Sequence, residues 1–549
     1  MKLKGLGNRA YNVLFHTHTV TGIVISFALF VIFYAGAFSL FRHEIYKWEN
    51  PAARIDVPAG FDYDRAFRAV DEVFHLDPHT ITHIVFPNRH DPFFKVYGAT
   101  HDTDSTVKRI RGAVHPATYA VTDLSEPPTT VGDTIYHLHY FGQIPVAGLY
   151  ISGFVALFFL FATITGVLIH WRNLITKFYA FIIKGKWKQI WTNAHTVLGI
   201  LGLPFQVVYA VTGAFFGLLT LLLLPSVLVL FDGDRSQVFE KARPWMAIEL
   251  DGNTASSDNI SMEELIDHVR QQYPHYQVIR AIVRNYGKTN ALLTVNIHDQ
   301  AGILASGNIT MKMKDGTVIP EASIFPDTKT YSHAALELIA KLHFANFGGI
   351  FLKGIYFILA LITAFVIISG ILIWRTARDN GKYTLKQRLF HHRVTKVYLA
   401  ICLSLFPAFA IIFLSNKLVP IDLNGRVAIV NQIFFISWLA LTVTGLFRNS
   451  YSRQNRNYLL IGGFLSLLVP VVNGIVTGDW FWQVWRTLPQ VAYVDIFWLA
   501  TGVFALVIAF KVLKISKVKD IPTEEKSLAL PVREKTVTPV FQPEVFEKP

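Results

Sequence analysis

Apolar and polar positions are segregated on a large scale along this chain. Runs of about 20 apolar residues are long enough to cross a hydrocarbon core of roughly 30 Å. They are expected near 14–41, 146–171, from 195 to 224 or beyond, and near 350–374, 395–415, 427–447, 458–478 and 491–513. Pro204 is expected to kink the third run and Pro225 to end its regular part. Two long polar stretches interrupt the apolar pattern. In the first, Tyr63–Phe74 has helical spacing, and 81–86, 93–98 and 107–121 read as strands. In the second, Ser261 and Glu264 form a capping box for a helix through Gln271, followed by strands at 277–284, 291–297 and 305–313 and the turn Asp315-Gly316. The pattern predicts a polytopic α-helical membrane protein of about eight transmembrane helices, with two small α+β domains outside the membrane. Its expected divisions are 1–42 (N-terminus and span 1), 43–145 (first polar domain), 146–231 (spans 2 and 3), 232–346 (second polar domain), 347–380 (span 4), 381–515 (spans 5–8) and 516–549 (a disordered tail rich in Pro, Glu and Thr).

The first half of the chain is duplicated. His18-Thr19-Val20-Thr21-Gly22 opens span 1, and His195-Thr196-Val197-Leu198-Gly199 opens span 3. Span 1 carries Ala35-Gly36-Ala37-Phe38 and span 3 carries Thr212-Gly213-Ala214-Phe215, each Gly 18 residues after its His. Eighteen residues are five helical turns, about 27 Å of rise, so His and Gly share a face at opposite ends of a membrane-length helix. Leu138-His139 precedes span 2 and Leu342-His343 precedes span 4; each His stands 27 residues before a Gly, Gly166 or Gly370. Two spans flanking one polar domain therefore form a repeat unit present twice.

Charge sets the orientation. The net charge of +13 arises from basic residues clustered in short loops, the pattern of membrane orientation signals rather than of nucleic-acid binding. Lys2, Lys4 and Arg9 precede span 1; Arg172, Lys177, Lys184, Lys186 and Lys188 follow span 2; Arg375 to Lys396 follow span 4; Arg448, Arg453 and Arg456 follow span 6. Both termini are thus expected in the cytoplasm. The single cysteine, Cys402, excludes a disulfide framework, a Cys-rich zinc site or an iron–sulfur cluster.

This topology places His18 and His195 at the cytoplasmic side and His139 and His343 at the other. Imidazoles in a membrane are costly unless partnered, and so are functional candidates. A single His at a membrane edge is more often an interfacial residue, and small residues at helical intervals are ordinary packing motifs. Four histidines in two matched pairs on opposite sides instead suit bis-His axial ligation of two haem b groups between helices. Gly22, Gly36, Gly199 and Gly213 would let a flat macrocycle approach the backbone. His16, His170 and His391 are alternative ligands; His75, His79 and His83 are expected on the surface of the polar domain.

Residues 10–380 resemble the PepSY-associated transmembrane proteins, often called iron-regulated membrane proteins. The resemblance is carried by the His-x-x-x-Gly openings at His18 and His195, the Leu-His before spans 2 and 4, Thr165-Gly166-Val167-Leu168-Ile169 with Trp171-Arg172 and its copy ending Trp374-Arg375, and Phe41-Arg42-His43-Glu44-Ile45. It implies a four-span core with two periplasmic PepSY-type domains in a bacterial inner membrane, and relatives that include haem-bearing ferric-siderophore reductases. No Gly-x-Gly-x-x-Gly follows a strand, so no nicotinamide- or flavin-binding domain is expected. The expected function is a dihaem b-type oxidoreductase that passes electrons from the His18/His195 side to the His139/His343 side and reduces a periplasmic acceptor, foremost a ferric siderophore. The donor, whether quinol, flavoprotein or another subunit, is left open. The rival readings are a transporter that uses the histidines as proton relays or substrate ligands, and a non-catalytic assembly or regulatory protein acting through its PepSY-type domains.

Overall fold

The structure, a computed structural model, describes residues 7–58, 60–88, 91–101, 107–124, 131–171, 174–179, 187–250, 254–255, 259–299, 302–447 and 450–513. Arg172, Lys184, Lys186 and Arg448 of the basic loops, and the tail expected to be disordered, lie outside them.

Span 1 is α1 (Asn8–Ser39), and a short helix α2 (Arg42–Glu49) continues from it. The first polar region gives α3 (Tyr63–Phe74), β1 (Thr82–Val85), β2 (Phe94–His101), β3 (Val107–Val114) and β4 (Val121–Asp123). Asp62 caps α3 by accepting from the Arg65 amide at 2.8 Å, and His75 ends it in the left-handed region at φ 51°. The segment expected as one strand over 107–121 is two strands, because the chain turns between β3 and β4 with Tyr119 at φ 57°. Next come α4 (Val131–His139), α5 (Ala147–His170) and α6 (Leu174–Phe178).

Span 3 departs from expectation. It is not one kinked helix but two, α7 (Trp187–Leu201) and α8 (Leu203–Leu230), separated at Gly202. Pro204 sits in the first turn of α8, where a missing N–H costs no hydrogen bond. Pro225, expected to end the helix, lies inside it.

The second polar region gives α9 (Arg235–Ala242), α10 (Met262–Gln272), β5 (Gln277–Arg284), β6 (Leu292–His298), β7 (Ser306–Lys312) and α11 (Tyr331–Phe344). Of the expected capping box one half forms: Ser261 caps α10 by accepting from the Glu264 amide at 3.1 Å, while among the described residues the Glu264 carboxylate makes no return bond to the Ser261 amide. The remaining spans are α12 (Gly349–Ala377), α13 (Leu385–Leu418), α14 (Arg426–Leu446), α15 (Tyr451–Thr477) and, after the short α16 (Phe481–Val484), α17 (Pro489–Leu513). Among the described residues eight helices are long and apolar enough to cross a membrane.

The two polar regions share one sheet. Its seven antiparallel strands run β4-β3-β2-β1-β5-β6-β7, and β1 of the first unit pairs with β5 of the second, His83 opposite Ile282 and Ile84 opposite Ala281. One face packs on α3 and α10 through Ile84, Val96, Val283, Leu293 and Val295. The helices are tied across units as well, since the Asp64 carboxylate in α3 accepts from the Met262 and Glu263 amides at the start of α10, at 2.9 and 3.2 Å.

Spans 5–8 grip the sheet end of the core. The Trp48 indole of α2 donates to Asp495 of α17 at 2.8 Å, and Asn473 of α15 donates to the other carboxylate oxygen at 2.9 Å. Lys417 of α13 donates to the Trp48 carbonyl at 2.6 Å and stands 4.1 Å over its ring. Glu49 accepts from the Val131 amide at 2.6 Å, and Thr134 donates to Asn431 of α14 at 2.5 Å. The helix α4, which carries His139, is therefore braced from two sides.

Candidate functional site

The fold brings the four repeated histidines together as two pairs. His18 of α1 meets His195 of α7 with ring centroids 6.2 Å apart, at the end of the bundle away from the sheet. His139 of α4 meets His343 of α11 at 6.0 Å, at the sheet end; this is the outer pair, and His18 with His195 the inner one. Each pair takes one ring from each repeat unit.

Each ring is oriented from within its own unit. His18 Nδ1 donates to the Ala162 carbonyl of α5 at 2.9 Å, and His195 Nδ1 to the Val366 carbonyl of α12 at 2.9 Å. His139 Nδ1 donates to the Ile32 carbonyl of α1 at 2.8 Å. His343 Nδ1 lies 2.8 Å from Thr212 Oγ1; that hydroxyl gives its proton to the Val208 carbonyl at 2.7 Å, so it accepts from the ring. A carbonyl can only accept, so these rings carry their proton on Nδ1 and keep the Nε2 lone pair. That is the tautomer a metal-binding imidazole needs, with the orienting hydrogen bond metal-ligating histidines almost always make.

The fit to haem can be tested on this geometry. Two imidazoles binding one metal from opposite sides, each through a bond of about 2 Å, have ring centres roughly 6 Å apart, as both pairs do. Among the described residues no three His, Cys, Asp or Glu side chains converge on a point that could hold a metal ion. A two-imidazole donor set suits an iron whose other positions are filled by a macrocycle. Room exists as well. A cavity of about 370 Å³ surrounds the outer pair, lined by Gly36, Gly213 and Gly217 and by Phe33, Tyr136, Tyr209 and Phe216 as well as His139 and His343. This volume lies in the range of cofactor pockets.

The nominated glycines divide into two kinds. A Cβ on Gly36 would lie 2.6 Å from His139 Nδ1, and one on Gly213 would lie 3.2 Å from the Ala156 methyl. Gly22 and Gly199, one turn beyond His18 and His195 on the same faces, have no heavy atom within 4 Å of where a Cβ would be. They leave open space beside the inner pair. Sequence reasoning used Gly166 and Gly370 only as landmarks, yet these approach the inner rings: a Cβ would lie 3.1 Å from His18 and 3.3 Å from His195. It also passed over the hydroxyls that reach the rings. Thr165 lies 3.4 Å from His18 Nδ1 and Ser369 3.1 Å from His195 Nδ1. A signal was present, since of Gly36, Gly166, Gly213 and Gly370, the four glycines at fixed spacing from a distant His, three follow a hydroxyl residue: Thr165-Gly166, Thr212-Gly213 and Ser369-Gly370. Tyr209, which donates to the His343 carbonyl at 3.0 Å and places its ring 5.2 Å from the imidazole, left no such trace. Of the alternative ligands, His16 is exposed, His391 packs on Trp374 and Tyr383, and His170 closes α5.

Eight membrane-length helices, an antiparallel sheet at one end of the bundle and two half-buried imidazole pairs define a multi-pass helical membrane protein. The chain belongs to the family of the PepSY-associated TM region, whose model matches residues 15–377. That match takes in all four histidines, while α13 to α17 lie beyond it. No curated protein matches the chain.

Proposed function

We propose that this protein is a dihaem b-type membrane oxidoreductase, with one haem b held by His18 and His195 and the other by His139 and His343. Haem bound in this way would supply one-electron chemistry at each end of the bundle. The observation that carries the reading is the pair of 6 Å imidazole placements with every Nδ1 turned to the protein.

The chain's own residues orient the four rings. Nearly all the side chains around the outer pair are aromatic, aliphatic or glycine, a low-polarity setting of the kind that tunes a haem potential. The acceptor proposed at the sheet end is iron(III) in a siderophore. One electron converts it to iron(II), which hard oxygen ligands hold less tightly; a two-electron donor such as a quinol or reduced flavoprotein serves two chelates and releases its protons. The proposed location is a bacterial inner membrane, with the sheet in the periplasm and both termini in the cytoplasm, because basic residues gather at the end away from the sheet.

The test is the haem content and visible spectrum of the detergent-purified full chain. The expected result is two haem b per chain with low-spin, six-coordinate spectra. One per chain removes one pair from the proposal, and a colourless folded protein removes the function.

A further inference from the structure

One face of the sheet is left free by α3 and α10, and it is basic. Arg111, Tyr97 and His83 lie in register across β3, β2 and β1, and Lys95 and Arg280 flank Val85 in the next row. Three strand steps of about 4.8 Å and a two-residue offset of about 6.8 Å put Arg111 and Arg280 roughly 16 Å apart along the sheet. Arg109 lies on the same face two residues before Arg111. Arg111, Arg280 and His83 are exposed, as is Arg243, which follows α9. Lys95 is paired with Asp91, but among the described residues Arg109, Arg111, Arg243 and Arg280 form no ion pair. Partial burial, then the charges of Arg243 and Arg280, push the His83 imidazole below its ordinary pKa, as expected where positive charges crowd one spot.

This face looks towards the membrane. Lys95 stands 5.0 Å over the Tyr46 ring of α2, which continues from span 1. His298, also on this face, lies 3.0 Å from Nζ of Lys341, two residues before His343 on α11. The basic face thus overlooks the end of the bundle that holds the outer histidine pair.

We infer that this face is a docking surface for an anionic ferric chelate, a complex whose carboxylate or catecholate oxygens leave it negatively charged, with Arg111 and Arg280 as its principal anchors. The inference rests on the proposed reductase reading and adds the charge class of the acceptor. Guanidinium groups match such oxygens with paired N–H donors. Unpaired arginines over a low-dielectric floor focus their field and raise the local concentration of an anion. Anionic lipid headgroups share the charge, and the test separates them.

The full-length protein in proteoliposomes is assayed with ferric citrate, which is anionic, and with a neutral ferric trihydroxamate. Arg111→Glu and Arg280→Glu are compared with Arg111→Lys and Arg280→Lys. Exposed ion pairs contribute up to about 1 kcal/mol, so reversing a charge is expected to raise KM for ferric citrate roughly five- to twenty-fold. It should leave kcat and the neutral chelate unchanged, and the Lys variants should stay near wild type. High salt should raise the wild-type KM for ferric citrate alone. Binding of redox-inert gallium(III) citrate is measured in parallel, because it needs no electron transfer. If the wild type binds gallium citrate and the Glu variants lose it while nothing is reduced, the docking face stands and the reductase reading falls. If KM and gallium binding are the same in wild type and Glu variants, or both chelates change alike, the docking face is refuted. A change confined to co-sedimentation with anionic phospholipid vesicles assigns the face to lipid and also overturns the inference.

Discussion

On the proposed dihaem reading, replacing Gly36 by alanine should cost the haem held by His139 and His343 while sparing the one held by His18 and His195. The new methyl carbon would stand 2.6 Å from Nδ1 and 2.8 Å from Cε1 of His139, against an ordinary contact of roughly 3.5 Å. The ring must move by close to 1 Å, because the alternative is to shift α1 itself. Such a move stretches the 2.8 Å bond from Nδ1 to the Ile32 carbonyl to about 3.6 Å, beyond hydrogen-bonding range. Overpacking of this kind costs about 1–3 kcal/mol. Loss of the bond that orients a metal-ligating imidazole weakens metal binding about 10- to 100-fold. The assay is a redox titration followed by visible spectroscopy on purified Gly36→Ala. The expected result is a lost or five-coordinate outer signal beside a wild-type inner signal. If both signals keep wild-type spectra and potentials, then the contact between Gly36 and His139 does not control the site and the packing argument is wrong.

Gly22→Leu and Gly199→Leu meet no protein atom near the new Cβ, so the helices should fold normally, by circular dichroism, while the inner haem is lost; retention of two haems in both variants would mean that the open space there is not the haem's. His343→Ala should remove the outer haem, leave the inner one reducible from the donor side, and abolish reduction of a membrane-impermeant ferric chelate by sealed vesicles. Reduction at the wild-type rate would refute that route. The anchoring of α11 should weaken in acid: burial, then the Lys341 charge, hold the His298 imidazole below its ordinary pKa. The unfolded chain then binds the extra proton first, so this contribution is present above about pH 6.5 and lost as pH falls through that value towards the folded pKa. Hydrogen exchange of β6 and α11 between about pH 7.5 and 5 should show it, and His298→Gln should flatten the profile.

What could be read from the sequence was local. Helix α3 was legible to the residue because its apolar period acts within a dozen positions. The histidine pairs were legible because duplication turns a three-dimensional juxtaposition into a matched spacing along one dimension. The split of span 3 was not. Gly202 and Pro204 both signal a break, but a break and a kink look alike in an apolar run, and a proline in a first turn begins a helix. The 15 residues of α7 also start earlier than their apolar run, on Trp187 and Gln189. The pairing of β1 with β5 was equally hidden, since two strands 192 residues apart carry no local mark of each other. The clasp of Trp48 by Asp495 and Lys417 joins parts of the chain still farther apart.

The junction of β1 and β5 says something about how such a protein could have arisen. Counting outward from it, three strands of one unit face three of the other, β1-β2-β3 against β5-β6-β7, and the central pair is antiparallel. That is the arrangement of a two-fold axis along the membrane normal, and the same axis relates His18 to His195 and His139 to His343. A single ancestral unit carrying one His of each kind would have held no complete site. Two copies meeting as an isologous dimer complete both sites at once and bury an otherwise open sheet edge. Fusion of the copies frees them to diverge, and they have: His170 stands where Trp374 stands, and Ala35 where Thr212 stands. A fused dimer can keep its two histidine pairs symmetric while the mouth at the sheet end becomes lopsided.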